Sequence, residues 1–196
     1  MARDHARIGI DIWEDGDWTA LTSTQQLAYF TLISSRDLSW CGVLPYIPAR
    51  FALLSADMTE RKFARAMADL EVGRFLIIDR MTAEVLVRSY VRHDGLVKQP
   101  NIMKALVRAY GKVHSDTLRD AVTIELRRLY ADNPSAKGWA GFAEEDAELF
   151  EYVSANPLRK GSGKGSRKGK ATPLPPSPFP NTSSSLRSVP REVVHG

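Results

Sequence analysis

An α+β fold, with helices gathered around one small antiparallel sheet, follows from three features of the sequence. A capped helical pattern near residues 23–35 runs into a short extended segment punctuated by prolines. A strongly amphipathic, basic helical pattern then begins at Thr59. Directly after it come two runs rich in Leu, Ile and Val, residues 74–81 and 84–92, with Thr82 and Ala83 as the polar break between them. At 196 residues the chain has room for one ordinary core plus appendages, and too little for two large domains.

Each element has a local reason. "LTSTQQLAYFTLISS" opens with Thr22 or Ser23 as N-cap, and Gln26 is spaced for a capping box. Leu27, Phe30, Leu32 and Ile33 supply the apolar face, with Leu21 as a staple ahead of the cap. "GVLPYIP", residues 42–48, is extended, and its two prolines suit an edge strand because proline cannot donate to a ladder. Pro48 starts a short helix over 49–54, at a first-turn position where an N–H is not needed. In "DMTERKFARAMADLEVG" Thr59 is the N-cap, and Phe63, Met67 and Leu70 fall at i, i+4 and i+7 on one face. Gly73 stands where a left-handed C-terminal cap is wanted.

The two apolar runs that follow predict a hairpin. In the second, Val85, Val87, Ser89 and Val91 alternate with Leu86, Arg88, Tyr90 and Arg92, so one face is small and the other carries the charges. Two more helices are predicted. "QPNIMKALVRAYGK" lines up Ile102, Met103, Leu106, Val107 and Tyr110 as an apolar stripe. "HSDTLRDAVTIELRRLY" is capped by Ser115 and shows Leu118, Val122, Leu126 and Leu129 at helical spacing. Its acidic first turn and Arg127-Arg128 near its end both complement the helix dipole, and Asn133-Pro134 stops it.

The charge is patterned. Residues 1–57 carry four Lys/Arg against seven Asp/Glu, and residues 58–112 carry eleven against six. Residues 113–157 reverse to four against nine, and 158–196 return to eight against one. Two basic blocks on an otherwise acidic body suggest a localised polyanion contact, and nucleic acid is the obvious polyanion. The bland alternative is a solvated charge face. The acidic block 113–157 suits a protein–protein surface or a helix packed back on the hairpin. One cysteine, Cys41, excludes an internal disulfide framework and a Cys-rich metal site. With no signal-peptide pattern at the start and no membrane-length apolar run, a cytoplasmic, reducing setting without membrane contact is expected.

The order helix, short strand, short helix, basic helix, hairpin is that of a winged helix-turn-helix, in which the third helix enters the DNA major groove and the hairpin forms a wing beside it. Arg61, Lys62 and Arg65 would then point outward from the first turns of the recognition helix, within reach of guanine edges or phosphates. Arg80 and Thr82 would approach phosphate or a minor groove from the wing. Arg88 and Lys98 extend the basic set, and Lys104, Arg108 and Lys112 form a ridge at i, i+4 and i+8 on the next helix. Three domains are expected: 1–95 as the winged helix-turn-helix, 96–157 as a helical extension, and 158–196 as a tail. That tail is Gly/Ser/Lys-rich and then Pro/Ser-rich, so ordering it would cost more entropy than its burial offsets, and disorder is expected. Arg159, Lys160, Lys164, Arg167, Lys168 and Lys170 would add sequence-independent phosphate contacts.

The span from about Ile8 to Ala109 also resembles the N-terminal domain of helix-turn-helix proteins from phages and prophages of actinobacteria. It is similar as well to the winged-helix domain of phage replication initiators and replisome organisers. Trp13 and Trp18, "LSWCGVLPYIP" and "LVRSYVRHDGLVKQP" carry the resemblance. It implies double-stranded DNA binding in replication initiation or in phage gene control, with a helicase or helicase loader as a further partner and a homodimer as the stoichiometry common to such proteins. The helical domain that replication initiators use for recruitment is longer than 113–157. A winged helix that binds protein instead of DNA is the third reading.

No enzyme is expected, and no cofactor or metal. His93-Asp94 is a weak metal signal without further converging ligands. Only His5, His114 and His195 accompany it. Asp94-Gly95 reads as a turn, with Gly95 free to take a positive φ. The run "GSGKGSRKGK" lacks the spacing of a phosphate-cradling loop. The acidic clusters Glu14–Asp17 and Glu144–Glu148 lack EF-hand spacing and read as solvated surface. Trp13, Trp18, Trp40 and Tyr46 read as core or core-edge packing, while Trp139 and Phe142 in "GWAGF" would dock a C-terminal segment onto the body or onto a partner.

Overall fold

The computed structural model describes residues 6–93 and 95–155, without the side chain of His93. Asp94 and the expected tail lie outside the described residues. A 3-10 turn (Ile10–Glu14) and α1 (Gly16–Thr19) precede α2 (Ser23–Ile33), β1 (Val43–Pro45), α3 (Pro48–Ala52) and α4 (Glu60–Val72). The hairpin is β2 (Leu76–Asp79) and β3 (Glu84–Val87). It leads through α5 (Tyr90–His93) and a 3-10 turn (Leu96–Lys98) to α6 (Pro100–Tyr110), α7 (Asp116–Asp132), α8 (Gly138–Glu145) and α9 (Ala147–Ala155).

The sheet is antiparallel throughout, in the order β1-β3-β2. Val43 faces Leu86 and Pro45 faces Glu84, while Leu76 faces Val87 and Asp79 faces Glu84. Pro45 therefore sits on an edge strand, where its missing donor removes no ladder bond. The alternation expected in the central strand is overturned. Val85, Leu86 and Val87 are all buried, although successive side chains point to opposite faces. Both faces are covered, and α4 and α7 both pack on the sheet. The strand also ends early. At Tyr90 the chain turns helical, and Tyr90 and Val91 are buried as α5 packs on α7.

Three local expectations shift by one residue. The cap of α2 is Thr22, and its capping-box partner is Gln25, whose Oε1 accepts from Thr22 N at 2.8 Å. Gln26 instead donates to Trp18 O at 3.3 Å, tying α1 to α2. The buried face of α2 is accordingly Ala28, Tyr29, Leu32 and Ile33, and Leu27 is left 43 % exposed. After α4 the left-handed residue is Arg74 (φ 64°), and Gly73 is helical at φ −70°. Arg74 N donates to Glu71 O at 3.0 Å and Phe75 N to Leu70 O at 2.9 Å, the paired bonds of a Schellman motif. Gly73 sits close under Phe75: a Cβ there would meet the ring at 3.1 Å, and the ring would have to give by a few tenths of an ångström.

One hydrophobic core runs from Trp18 to Val153, so residues 96–155 share it with the strands and α4. Trp18 is 2 % exposed and lies against Tyr29, Phe30 and Phe75, with ring centroids 5.0–6.3 Å apart. Trp13 sits at the core edge, 59 % exposed, with its ring centroid 6.4 Å from that of the buried Trp18. Trp139 and Phe142 dock α8 on the body, both buried. Gly138 and Gly141 let it come close, since a Cβ at either would lie 2.2–2.3 Å from the carbonyl oxygen of Val97 or Pro100.

Candidate nucleic-acid interface

Helix α4 is built to hide one face and present the other. Thr59 Oγ1 accepts from Lys62 N at 3.2 Å and starts the helix. Phe63, Ala66, Met67 and Leu70 are buried against α2, α3 and β2. Burying each of the larger three stabilises the helix by about 1.5–3 kcal/mol. The same 3.6-residue period turns Arg61, Lys62 and Arg65 outward, and all three are exposed.

Their surroundings differ. Arg61 makes no ion pair or hydrogen bond through its side chain among the described residues. Lys62 Nζ donates to Asp57 O at 3.0 Å. Arg65 has a side chain 79 % exposed, and its Nε pairs with Asp69 Oδ1 at 3.1 Å, one turn on. Asp69 is itself steadied by Gln25, whose Nε2 donates to Oδ2 at 3.1 Å. An exposed pair of this kind is worth only a few tenths of a kcal/mol, so a phosphate competes with it readily. The Gln25–Asp69–Arg65 relay has no signature in the sequence, because Gln25 lies forty-four residues away.

The remaining candidates divide sharply. Arg80 is exposed, but Nη2 bonds Glu71 Oε2 at 2.9 Å. Thr82 turns inward, its hydroxyl buried and facing the Asp79 and Glu84 carboxylates without closing a well-formed hydrogen bond to either. Arg88 is directed into the body: it donates to Arg74 O at 3.1 Å and pairs with Glu125 at 3.4 Å. Glu125 is a buried carboxylate, 3 % exposed, that also meets Arg128 at 2.6 Å and Arg92 at 2.8 Å. The Arg92 contact is an ion pair with poor hydrogen-bond alignment. On α6, Lys104 pairs with Glu144 at 2.6 Å and Arg108 with Glu145 at 2.7 Å, both carboxylates belonging to α8. Lys98 and Lys112 are exposed and carry no side-chain ion pair among the described residues. Six candidates in the tail, Arg159 to Lys170, lie outside the described residues.

The hairpin is locked to the body by carboxylates that a sequence reading passes over. Glu84 accepts from His114 N at 3.1 Å and Ser115 N at 2.8 Å, and Asp79 Oδ2 accepts from Ser115 Oγ at 2.6 Å. Glu84 therefore satisfies backbone donors at the entry to α7, and Asp79 holds the capping hydroxyl of Ser115. The hydroxyl bond from Ser115 holds the Asp79 carboxyl below its ordinary value. For Glu84 burial pushes upward, but the two backbone donors prevail and its carboxyl is also held low. Glu71 guards the free edge of β2, accepting from Ile78 N at 3.0 Å.

A cavity of about 650 Å3 lies elsewhere, between residues 6–15 and the Trp18, Tyr29 and Phe75 side chains, and none of the candidate cations lines it. No helix among the described residues is long and apolar enough to cross a membrane. No group of three or more His, Cys, Asp or Glu among them is arranged to hold a metal ion. Comparison with protein-family models, with curated proteins and with solved structures returned no match.

Proposed function

We propose that this chain is a winged helix-turn-helix protein that binds double-stranded DNA, with α4 as its recognition helix and β2–β3 as its wing. One observation carries the reading: Arg61 and Arg65 stand outward, one turn apart, on a helix whose opposite face is anchored in the core and which is followed at once by a hairpin. Guanidinium groups so placed can read guanine edges bidentately or clamp phosphates. The order β1-β3-β2, with the first strand inserted before α3, supports the same reading. The site of action is a phage replication origin, as the resemblance of residues 8–109 implies, with a helicase or loader as the protein partner.

Leu53 and Leu54 favour a second use of this face. They are 85 % and 70 % exposed in the turn that leads into α4, and such a pair suits contact with a protein. One experiment separates the two. Random-library selection with the purified chain should recover a preferred duplex, and its symmetry would report whether a dimer binds. In a gel shift on that duplex, Arg61→Ala with Arg65→Ala should abolish specific binding. A double variant that binds as tightly as wild type would remove α4 from the interface.

A further inference from the structure

The tip of the β2–β3 hairpin presents a methionine that nothing among the described residues covers. Met81 is 95 % exposed, more than any other large apolar side chain among the described residues. The turn that carries it is tightly held. Asp79 Oδ1 accepts from Met81 N at 2.9 Å and from Thr82 N at 3.3 Å, closing an Asx turn. The other oxygen of Asp79 is fastened to Ser115, and Glu84 at the far side of the turn is fastened to His114 and Ser115. Ala83 takes a left-handed φ of 53°, and its carbonyl accepts from Tyr46 N at 2.7 Å. Arg80 is tied to Glu71. Its neighbours in the turn are thus bound to the body, and Met81 alone projects from a rigid mount.

A rigid, projecting, unbranched apolar side chain is what the unstacking of a base step requires. Architectural proteins insert Met, Leu, Ile, Phe or Pro between base pairs from the minor groove, and each insertion must offset a stacking loss that a floppy tip could not oppose.

We propose that Met81 is a minor-groove wedge: with α4 in the major groove, the Met81 thioether enters an adjacent base step and kinks the duplex. The proposal rests on the DNA-binding reading and deepens it from recognition to deformation. A pyrimidine–purine step, the easiest to unstack, is the expected target. Arg80, the residue before it, is positioned to exchange Glu71 for a phosphate once the groove is occupied.

The test uses the full chain and the duplex recovered by library selection, labelled at its ends for energy transfer and substituted with 2-aminopurine along each flank. Wild type should kink that duplex by about 20–90° and brighten 2-aminopurine at a single step. Met81→Ala should lose the kink and the brightening and bind about tenfold more weakly, while melting at the wild-type temperature. Met81→Leu should restore both signals. Kinking by Met81→Ala equal to wild type overturns the wedge, as does a wild type that binds without kinking. In both cases loss of binding by the Arg61→Ala, Arg65→Ala variant leaves the DNA-binding reading standing. Failure of wild type to bind any selected duplex overturns both.

Discussion

On α4, Arg61 and Arg65 stand one helical turn apart, and on α6 Lys104 and Arg108 do the same. The two ridges look alike along the chain, yet α8 lies across the second. Its Glu144 and Glu145 meet Lys104 and Arg108 at 2.6 and 2.7 Å, and Gly138 and Gly141 allow the close approach. Among the described residues no element covers the first ridge: Arg61 is unpaired and Arg65 meets only its own helix's Asp69. Helical period puts a charge on a face. Whether that charge is free for a partner depends on what else packs there.

The sharpest way to break the contrast is at a third set of cations, the arginines gathered inside. Glu125→Gln would leave Arg88, Arg92 and Arg128 facing a neutral group in a largely buried place. Stability to urea should fall by about 3 kcal/mol, as for other broken interior ion pairs. A loss within experimental error would mean that these arginines are solvated and free to act elsewhere. For the two ridges, removing Arg61 and Arg65 should weaken binding to the selected duplex about a hundredfold, and removing Lys104 and Arg108 by no more than about threefold. Conversely, Glu144→Ala with Glu145→Ala should free the second ridge and steepen the salt dependence of binding by up to about two units of slope. Equal losses from the two ridges would erase the distinction.

Acid should loosen the attachment of the hairpin to α7. Asp79 and Glu84 titrate lower in the folded chain than their ordinary values. Their stabilising contribution is therefore complete above the unfolded carboxylate values near about 4, and is lost as pH falls through the lower, folded values. Melting temperature should drop between roughly pH 5 and 3 in wild type, and less steeply in Glu84→Gln, so that the two curves converge on acidification. Parallel curves would show that the hairpin is not held by this carboxylate. The smallest effect is expected at Arg74. Its left-handed backbone costs about 1 kcal/mol that glycine avoids, so Arg74→Gly should raise stability by about 0.5–1 kcal/mol in urea titration.

Much of the fold was legible because it is encoded locally. Thr59 and Ser115 cap the helices they were expected to cap, and the buried stripes of α4 and α7 include every position that their spacing named. Pro48 begins α3, Gly95 takes a positive φ of 68°, and the hairpin turns at residues 80–83. The failures share a cause. Leu86 was assigned to a charged face because alternation assumes one wet side, and α7 removes it. Gly73 was expected to be left-handed on composition, but it stays helical beneath the Phe75 ring and Arg74 takes the strain. The acidic residues near Glu14 and Glu144 read as solvated surface and do lie largely exposed, but spacing did not show that Asp15 caps α1 or that Glu144 and Glu145 pair with α6.

By itself the sequence determined where α3, α4 and α7 begin, which side chains α4 and α7 turn inward, and that α4 is basic on its outer face. These depend on neighbours within a turn or two, where backbone geometry leaves few choices. Tertiary structure alone decided that Arg88, Lys104 and Arg108 are engaged while Arg61 has no partner among the described residues, and that Asp79 and Glu84 fasten the hairpin to α7. Those partners lie some thirty to forty residues apart, and short-range Coulomb and hydrogen-bonding forces act only once packing has brought them within contact distance.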